Sequence, residues 1–230
     1  MQPKEVWSAF LGVVLKDGMQ NPGAVAFCEA LTDGRLRLGQ TLTQNELGEV
    51  LGLTLARVRD VVVLLEAEGL VEVRKRVGLT IFYPDVNFVG NTFQLRGILE
   101  REGLRKFSET VTQSWIDYML DEHDKIVELV KSCTEAGQYA REMRALERKF
   151  HDSFVTALNN EHITKLHGSN SQKMYLLRLL NPEAVGPRNS LISMSEHLEI
   201  LRALQQRDAD AAILGLDRHL KGVLHRILTH

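Results

Sequence analysis

TQNELGEVLGLTLARVRDVVVLLEAEGLVEVRKRVGLTIFYP, residues 43–84, decides how the first third of this chain is built. Thr43 can cap a helix that runs to Leu51, and Glu46, three residues on, completes a capping box. Gly52 ends that helix in a tight turn. Thr54 caps the next one, in which Val58, Val61, Val62 and Leu65 recur at helical spacing until Gly69. Two short helices joined by a glycine turn are helix-turn-helix geometry. After Gly69 the period changes to two: Leu70, Val71 and Val73, then the cluster RKRVG, then Leu79, Ile81 and Tyr83. This alternation gives a small hairpin with a basic tip, and helices plus hairpin make a winged-helix pattern.

The bland reading is a plain helix pair with a hairpin; the sharper one is a reader of double-stranded DNA. Charge placement favours the second. Thr54, Arg57 and Arg59 fall on the second helix, and Arg74, Lys75 and Arg76 on the wing, where bases and phosphates of a duplex would lie. Thr43, Gln44 and Asn45, at the start of the first helix, are placed to hold the backbone. The chain as a whole has a net charge of −2 over 230 residues, so no global basic field announces a nucleic-acid partner and any DNA contact is local.

Outward from this core, residues 3–16 place Val6, Phe10, Val13 and Val14 on one helical face, and GAVAFCEALTDG reads as a further helix ending at Gly34. The apolar run WSAFLGVVL is cut short by Lys16 and Asp17, and no later stretch approaches the roughly 18 apolar residues of a membrane span. Cys28 and Cys133 match no metal or redox spacing and suit reduced thiols. These features together predict a cytoplasmic protein with no membrane partner.

PDVNFVG, residues 84–90, holds a proline, a glycine and no sustained period. It divides the chain into a DNA-binding domain over 1–84, a linker over 85–90 and a second domain over 91–230. Apolar stripes near 91–112, 114–132, 135–158, 160–180, 189–206 and 208–228 predict an all-helical antiparallel bundle. Within it, ERKFH (residues 147–151) sets Glu147 and His151 four positions apart, on one side of a helix. His197 and His219 lie on two later helices. Three neutral imidazoles and a carboxylate converging inside a bundle suit a divalent ion such as Zn²⁺ or Ni²⁺, although spacing alone does not establish that they converge.

The order of these phrases resembles a known family. Leu42, Glu46, Leu47, Leu51, Gly52, Val58, Arg59, Glu68, Gly69, Leu70, Val71 and Gly78 match the DNA-binding domain of the GntR family of bacterial transcription regulators. LRGILE, ERKFH, Asn160, HLEILRAL, DADAA and the His-Leu pair at 219–220 resemble the FCD effector domain of the FadR subfamily. The resemblance covers about residues 24–228. It implies a metal held by Glu147, His151, His197 and His219, and an effector pocket that includes Arg96 and Asn160. Two departures stand out: Glu147 replaces the usual aspartate, and Leu55 replaces an arginine that usually reads the major groove, with Arg57 next in line to compensate.

The resemblance therefore implies a homodimeric, ligand-responsive DNA-binding regulator, most simply a repressor, that answers to a small carboxylate metabolite and is not an enzyme. The rivals are a metal-dependent enzyme and a purely structural metal-binding bundle. His123, His162, His167, His225 and His230 match no ligand position and read as surface or network residues.

Overall fold

The computed structural model describes residues 21–67, 69–134, 138–180 and 182–229. The helix expected over residues 3–16 lies outside them. The chain forms two compact units, Met1–Pro84 and Asp85–His230.

In the first unit, Asn21 caps helix α1 (Pro22–Thr32), its side chain accepting from the Gly23 amide. Strand β1 (Thr41–Leu42) leads into α2 (Gln44–Leu51), and α3 (Leu55–Ala67) follows after one turn. The capping box is present: the Glu46 amide donates to Thr43 Oγ1 at 3.2 Å, and the Thr43 amide donates to Glu46 Oε2 at 2.7 Å. Gly52 closes α2 at φ 65°, a left-handed conformation that costs glycine no steric penalty. Strands β2 (Val71–Arg74) and β3 (Gly78–Ile81) form the hairpin, and β1 completes an antiparallel sheet of order β1-β3-β2. Pairing of Val73 with Leu79 and of Leu42 with Leu79 fixes the register. Leu79 and Ile81 then join Phe27, Leu47, Val58, Val61 and Leu65 among the buried residues. The helix-turn-helix and its wing are as the sequence periods predict.

All six helices expected in the second unit are present: α4 (Val86–Thr110), α5 (Gln113–Ser132), α6 (Ala140–Thr156), α7 (Glu161–Leu180), α8 (Pro187–Gln205) and α9 (Ala209–Leu228). A short 3₁₀ turn, Pro182–Val185, precedes α8. The first helix starts earlier than its apolar stripe suggests, because Asp85 accepts from the Phe88 amide at 2.7 Å and caps it. Residues 86–90, read from sequence as linker, are therefore helical. Val89 and Phe93 are buried with Met174, Leu177 and Ile227. A larger apolar core, including Leu104, Ile116, Phe150, Phe154, Ile200 and Leu216, fills the rest of the bundle. Among the described residues, no helix is long and apolar enough to cross a membrane.

One crossing governs the site. Gly103 lets α4 touch α6 backbone to backbone: a Cβ there would lie 2.5 Å from the Phe154 carbonyl oxygen. That contact holds α4 close enough for Glu100, one turn earlier, to meet His151. Gly103→Ala is therefore expected to destabilise the bundle by about 1–3 kcal/mol through overpacking. Urea denaturation measures this, and wild-type stability in the variant would show that the helices separate at no cost.

Candidate functional site

His151 comes from α6, His197 from α8 and His219 from α9, so no two of them share a helix. All three are buried. Each offers one ring nitrogen to a common point, and these nitrogens lie within 4.8 Å of one another. His197 Nε2 is 3.3 Å from His219 Nε2, and Glu147 Oε1 reaches to 3.7 Å from His197 Nε2. The four residues singled out in the sequence are thus brought together, and the extra methylene of Glu147 does not keep it from the cluster. Phe150 stacks on the His197 ring at 4.3 Å between centroids and walls one side.

The far sides of the rings are held as firmly. His151 Nδ1–H donates to Glu100 Oε2 at 2.7 Å, and His219 Nδ1–H donates to Glu196 Oε2 at 2.8 Å. His197 Nδ1 lies 3.1 Å from His123 Nε2, and His123 Nδ1 lies 2.7 Å from the Met119 carbonyl. Carboxylates that accept from Nδ1–H of His151 and His219 leave both Nε2 lone pairs facing inward. His151 Nε2 is buried and has no hydrogen-bond partner among the described residues. A Zn–N bond of about 2.0–2.1 Å would place tetrahedral ligand nitrogens about 3.3 Å apart. The spacing of His197 and His219 fits that requirement, so residues and donor set suit a divalent ion.

Glu100 organises much of this. Its carboxylate is fully buried and accepts from Arg96 Nε at 2.7 Å and His167 Nε2 at 2.9 Å as well as from His151. Burial alone would raise its pKa, but Arg96, His151 and His167 outweigh that and hold it well below the usual carboxylate range. For His151, burial dominates and pushes the imidazole down to about 4 despite Glu100. The contact is therefore a neutral imidazole donating to a charged carboxylate. His197 is likewise held well below its usual range, by burial first and then by the neighbouring histidines. Burial of Glu196 is outweighed by His219 and Arg226, which keep it charged. A neutral ring backed by a charged acceptor, as at His151, is the protonation state a metal ligand needs.

Glu100 and Glu196 carry no role in the sequence reading, and His123 and His167 figure there only as surface or network residues. His123 and His167 prove to be network residues and are buried, whereas His162 and His225 are exposed. The signal for His123 lies in its helix, where Ile116, Met119, His123, Ile126 and Val130 form one buried stripe at spacings of three and four. Arg96 joins the cluster's support through Glu100. Asn160 does not join it: the residue is exposed, and its Oδ1 accepts from the His162 and Ile163 amides, capping α7.

In the first unit, Thr43, Asn45, Thr54, Arg57, Arg59, Arg74, Lys75 and Arg76 are exposed, and Gln44 is half-buried. Among the described residues, Arg57, Arg59, Lys75 and Arg76 make no ion pair. Arg74 is bound to Glu72, Nη2 to Oε2 at 3.0 Å, which takes up part of its charge. Thr43 Oγ1 is likewise 2.9 Å from Glu46 Oε2. The exposed cations lie on α3 and at the β2–β3 tip, the two places a duplex meets in this fold.

Comparison with known proteins agrees with both units. Residues 28–81 match the model for bacterial regulatory proteins of the gntR family, and residues 91–222 match the FCD domain. The Uxu operon transcriptional regulator of Escherichia coli is 25% identical over 211 residues, covering 80% of this chain and 77% of its own. The HTH-type transcriptional regulator YdhC of Bacillus subtilis is 21% identical over 180 residues, 78% of each chain. Among solved structures, a GntR regulator from Rhodococcus sp. RHA1 superposes with a TM-score of 0.62 at 21% identity, over 89% of this chain and 95% of that one. At that identity the likeness supports the fold alone. With both domain models matched in order, the chain belongs to the GntR family of bacterial transcription regulators, in its FadR-like branch, with a winged helix-turn-helix followed by an FCD domain.

Proposed function

We propose that this regulator is a cytoplasmic homodimeric repressor whose FCD domain holds a divalent metal ion and a small carboxylate metabolite. The observation that carries the reading is the convergence of three buried histidine nitrogens, with Glu147 beside them and the opposite ring nitrogens engaged. His151, His197, His219 and Glu147 would hold Zn²⁺, or Ni²⁺ or a similar ion. An ion held there would supply a positive charge able to anchor and neutralise a ligand carboxylate. Arg96, on the same Glu100 that orients His151, adds a guanidinium suited to that carboxylate. Asn160 has no part in this reading, since its side chain is spent on the α7 cap.

Metal content by elemental mass spectrometry tests the centre. About one equivalent per chain is expected in freshly purified wild type, and its loss in both His151→Ala and His197→Ala. A metal-free wild type that takes up no added Zn²⁺ would sink the metal reading and leave the family assignment intact. Titration of the loaded protein with di- and tricarboxylates, read by operator release, then tests the effector.

On the DNA side, α3 would enter the major groove with Arg59 and Arg57 at base edges or phosphates. Thr43, Gln44, Asn45 and Thr54 would hold the backbone with Arg74, Lys75 and Arg76 of the wing. Arg59→Ala is expected to weaken binding to a duplex selected by the wild type by about 1–3 kcal/mol if it reads a base. Lys75→Ala should instead weaken binding to all sequences and lower the salt slope by about one. Fluorescence anisotropy across a salt series separates the two. Unchanged affinity and slope in both variants would remove α3 and the wing from the interface.

Support of the centre also has a pH signature. Burial would push His167 down, but its hydrogen bonds to Asp152 and Glu100 lift it to about 9. The unfolded value is about 6.5, so folding is favoured by the bound proton. This stabilisation is fully present below about pH 6.5 and is lost as pH rises through about 9, amounting to at most about 3 kcal/mol. Urea unfolding of the wild type is expected to show the loss and His167→Gln a flatter profile; parallel profiles would exclude this proton from the fold's stability.

A further inference from the structure

The three histidines are not supported alike. His151 and His219 each donate a hydrogen bond from Nδ1–H to a carboxylate, while Nδ1 of His197 faces another histidine, His123. The ring of His123 is fully buried. Its two nitrogens meet the Met119 carbonyl at 2.7 Å and His197 Nδ1 at 3.1 Å, and no carboxylate among the described residues lies within hydrogen-bond reach of it. A carbonyl oxygen can only accept, so His123 must donate from Nδ1. In a neutral imidazole the other nitrogen is then an acceptor, which makes His123 Nε2 a bare lone pair. His197 Nδ1 can answer that lone pair only as a donor. The proton of His197 is thereby fixed on Nδ1, and its Nε2 is left bare, facing His219 Nε2 at 3.3 Å.

We infer that His123 is the positioning residue of the centre: it relays the direction of the Met119 carbonyl through its own ring and sets His197 in the tautomer that can bind a metal. Without it, nothing on α5 prevents His197 from carrying its proton on Nε2, inside the cluster, where it would donate to His219 and close the site. His123 itself lies outside the group of converging nitrogens and acts only through His197. The inference rests on the metal reading for its consequence, but the relay is a property of the metal-free protein.

The relay also makes the donor set unequal. Ligands backed by carboxylates are more basic than one backed by a neutral ring. His197 is therefore the weakest donor of the three histidines and the one whose orientation depends on a single neutral hydrogen bond.

Two variants and two readouts test this. His123→Leu removes the acceptor, and His123→Gln offers an amide oxygen in its place. Zn²⁺ affinity, by competition with a chelator, is expected to fall about 10- to 100-fold in the leucine variant, as loss of an outer-shell partner does, and to return close to wild type in the glutamine variant. Long-range ¹H–¹⁵N spectra of the metal-free wild type should show His197 protonated on Nδ1 and bare on Nε2. Wild-type affinity in His123→Leu, or a proton on Nε2 of His197 in the wild type, overturns the relay while the metal reading stands. A wild type that binds no Zn²⁺ overturns the metal reading, and the spectra then decide the relay alone. Should His123→Leu not fold, the glutamine variant and the wild-type spectra remain decisive.

Discussion

Glu100 puts a charge where no water can solvate it, and the second unit is organised around neutralising that charge. Its carboxylate accepts hydrogen bonds from Arg96 on its own helix, from His151 on α6 and from His167 on α7. A buried ion is costly unless it is paired and hydrogen-bonded, and here three donors from three helices engage both of its oxygens. The same hydrogen bond that satisfies Glu100 turns His151 so that its Nε2 faces His197 and His219. Charge compensation and site construction are one act, which is why the close approach at Gly103 matters to both.

The two halves solve opposite electrostatic problems. On α3 and the wing, Arg57, Arg59, Lys75 and Arg76 are exposed and make no ion pair among the described residues, so that phosphates can meet them, while Arg74 is bound to Glu72. In the bundle the charges that support the cluster are matched at close range: Arg96 with Glu100, Arg226 with Glu196. A polyanion is attracted by unmatched surface charge, while a small ligand site needs fixed, preorganised groups. The near-neutral net charge of the chain averages over both and describes neither.

What could be read in the sequence was local. Thr43 with Glu46, Gly52 after Leu51, and the switch from helical to alternating period at Gly69 are decided within a few residues, so they could be read directly. The four cluster residues came from resemblance, since spacing placed Glu147 and His151 on one face but could not say that two other helices point there. His123 and His167 stayed obscure because their chain neighbours mislead. Glu122, Asp124 and Lys125 surround His123 and suggest solvent, while the buried stripe that contains it emerges only at spacings of three and four. Asn160 shows the converse: a short polar side chain at a helix start is claimed by the nearest free amides, those of His162 and Ile163.

The scattering of the cluster over three helices bears on how freely the rest of the chain can vary. His197 and His219 are 22 residues apart, and Glu100 and His151 are 51 apart. Chain entropy penalises loop closure only logarithmically, about 0.6 kcal/mol for each doubling of length. Lengthening the connections between helices would therefore tax the assembled centre very little. Its geometry is stored in helix contacts and in the hydrogen bonds behind each ring, so the turns at the ends of the bundle are left open to insertion, deletion and drift.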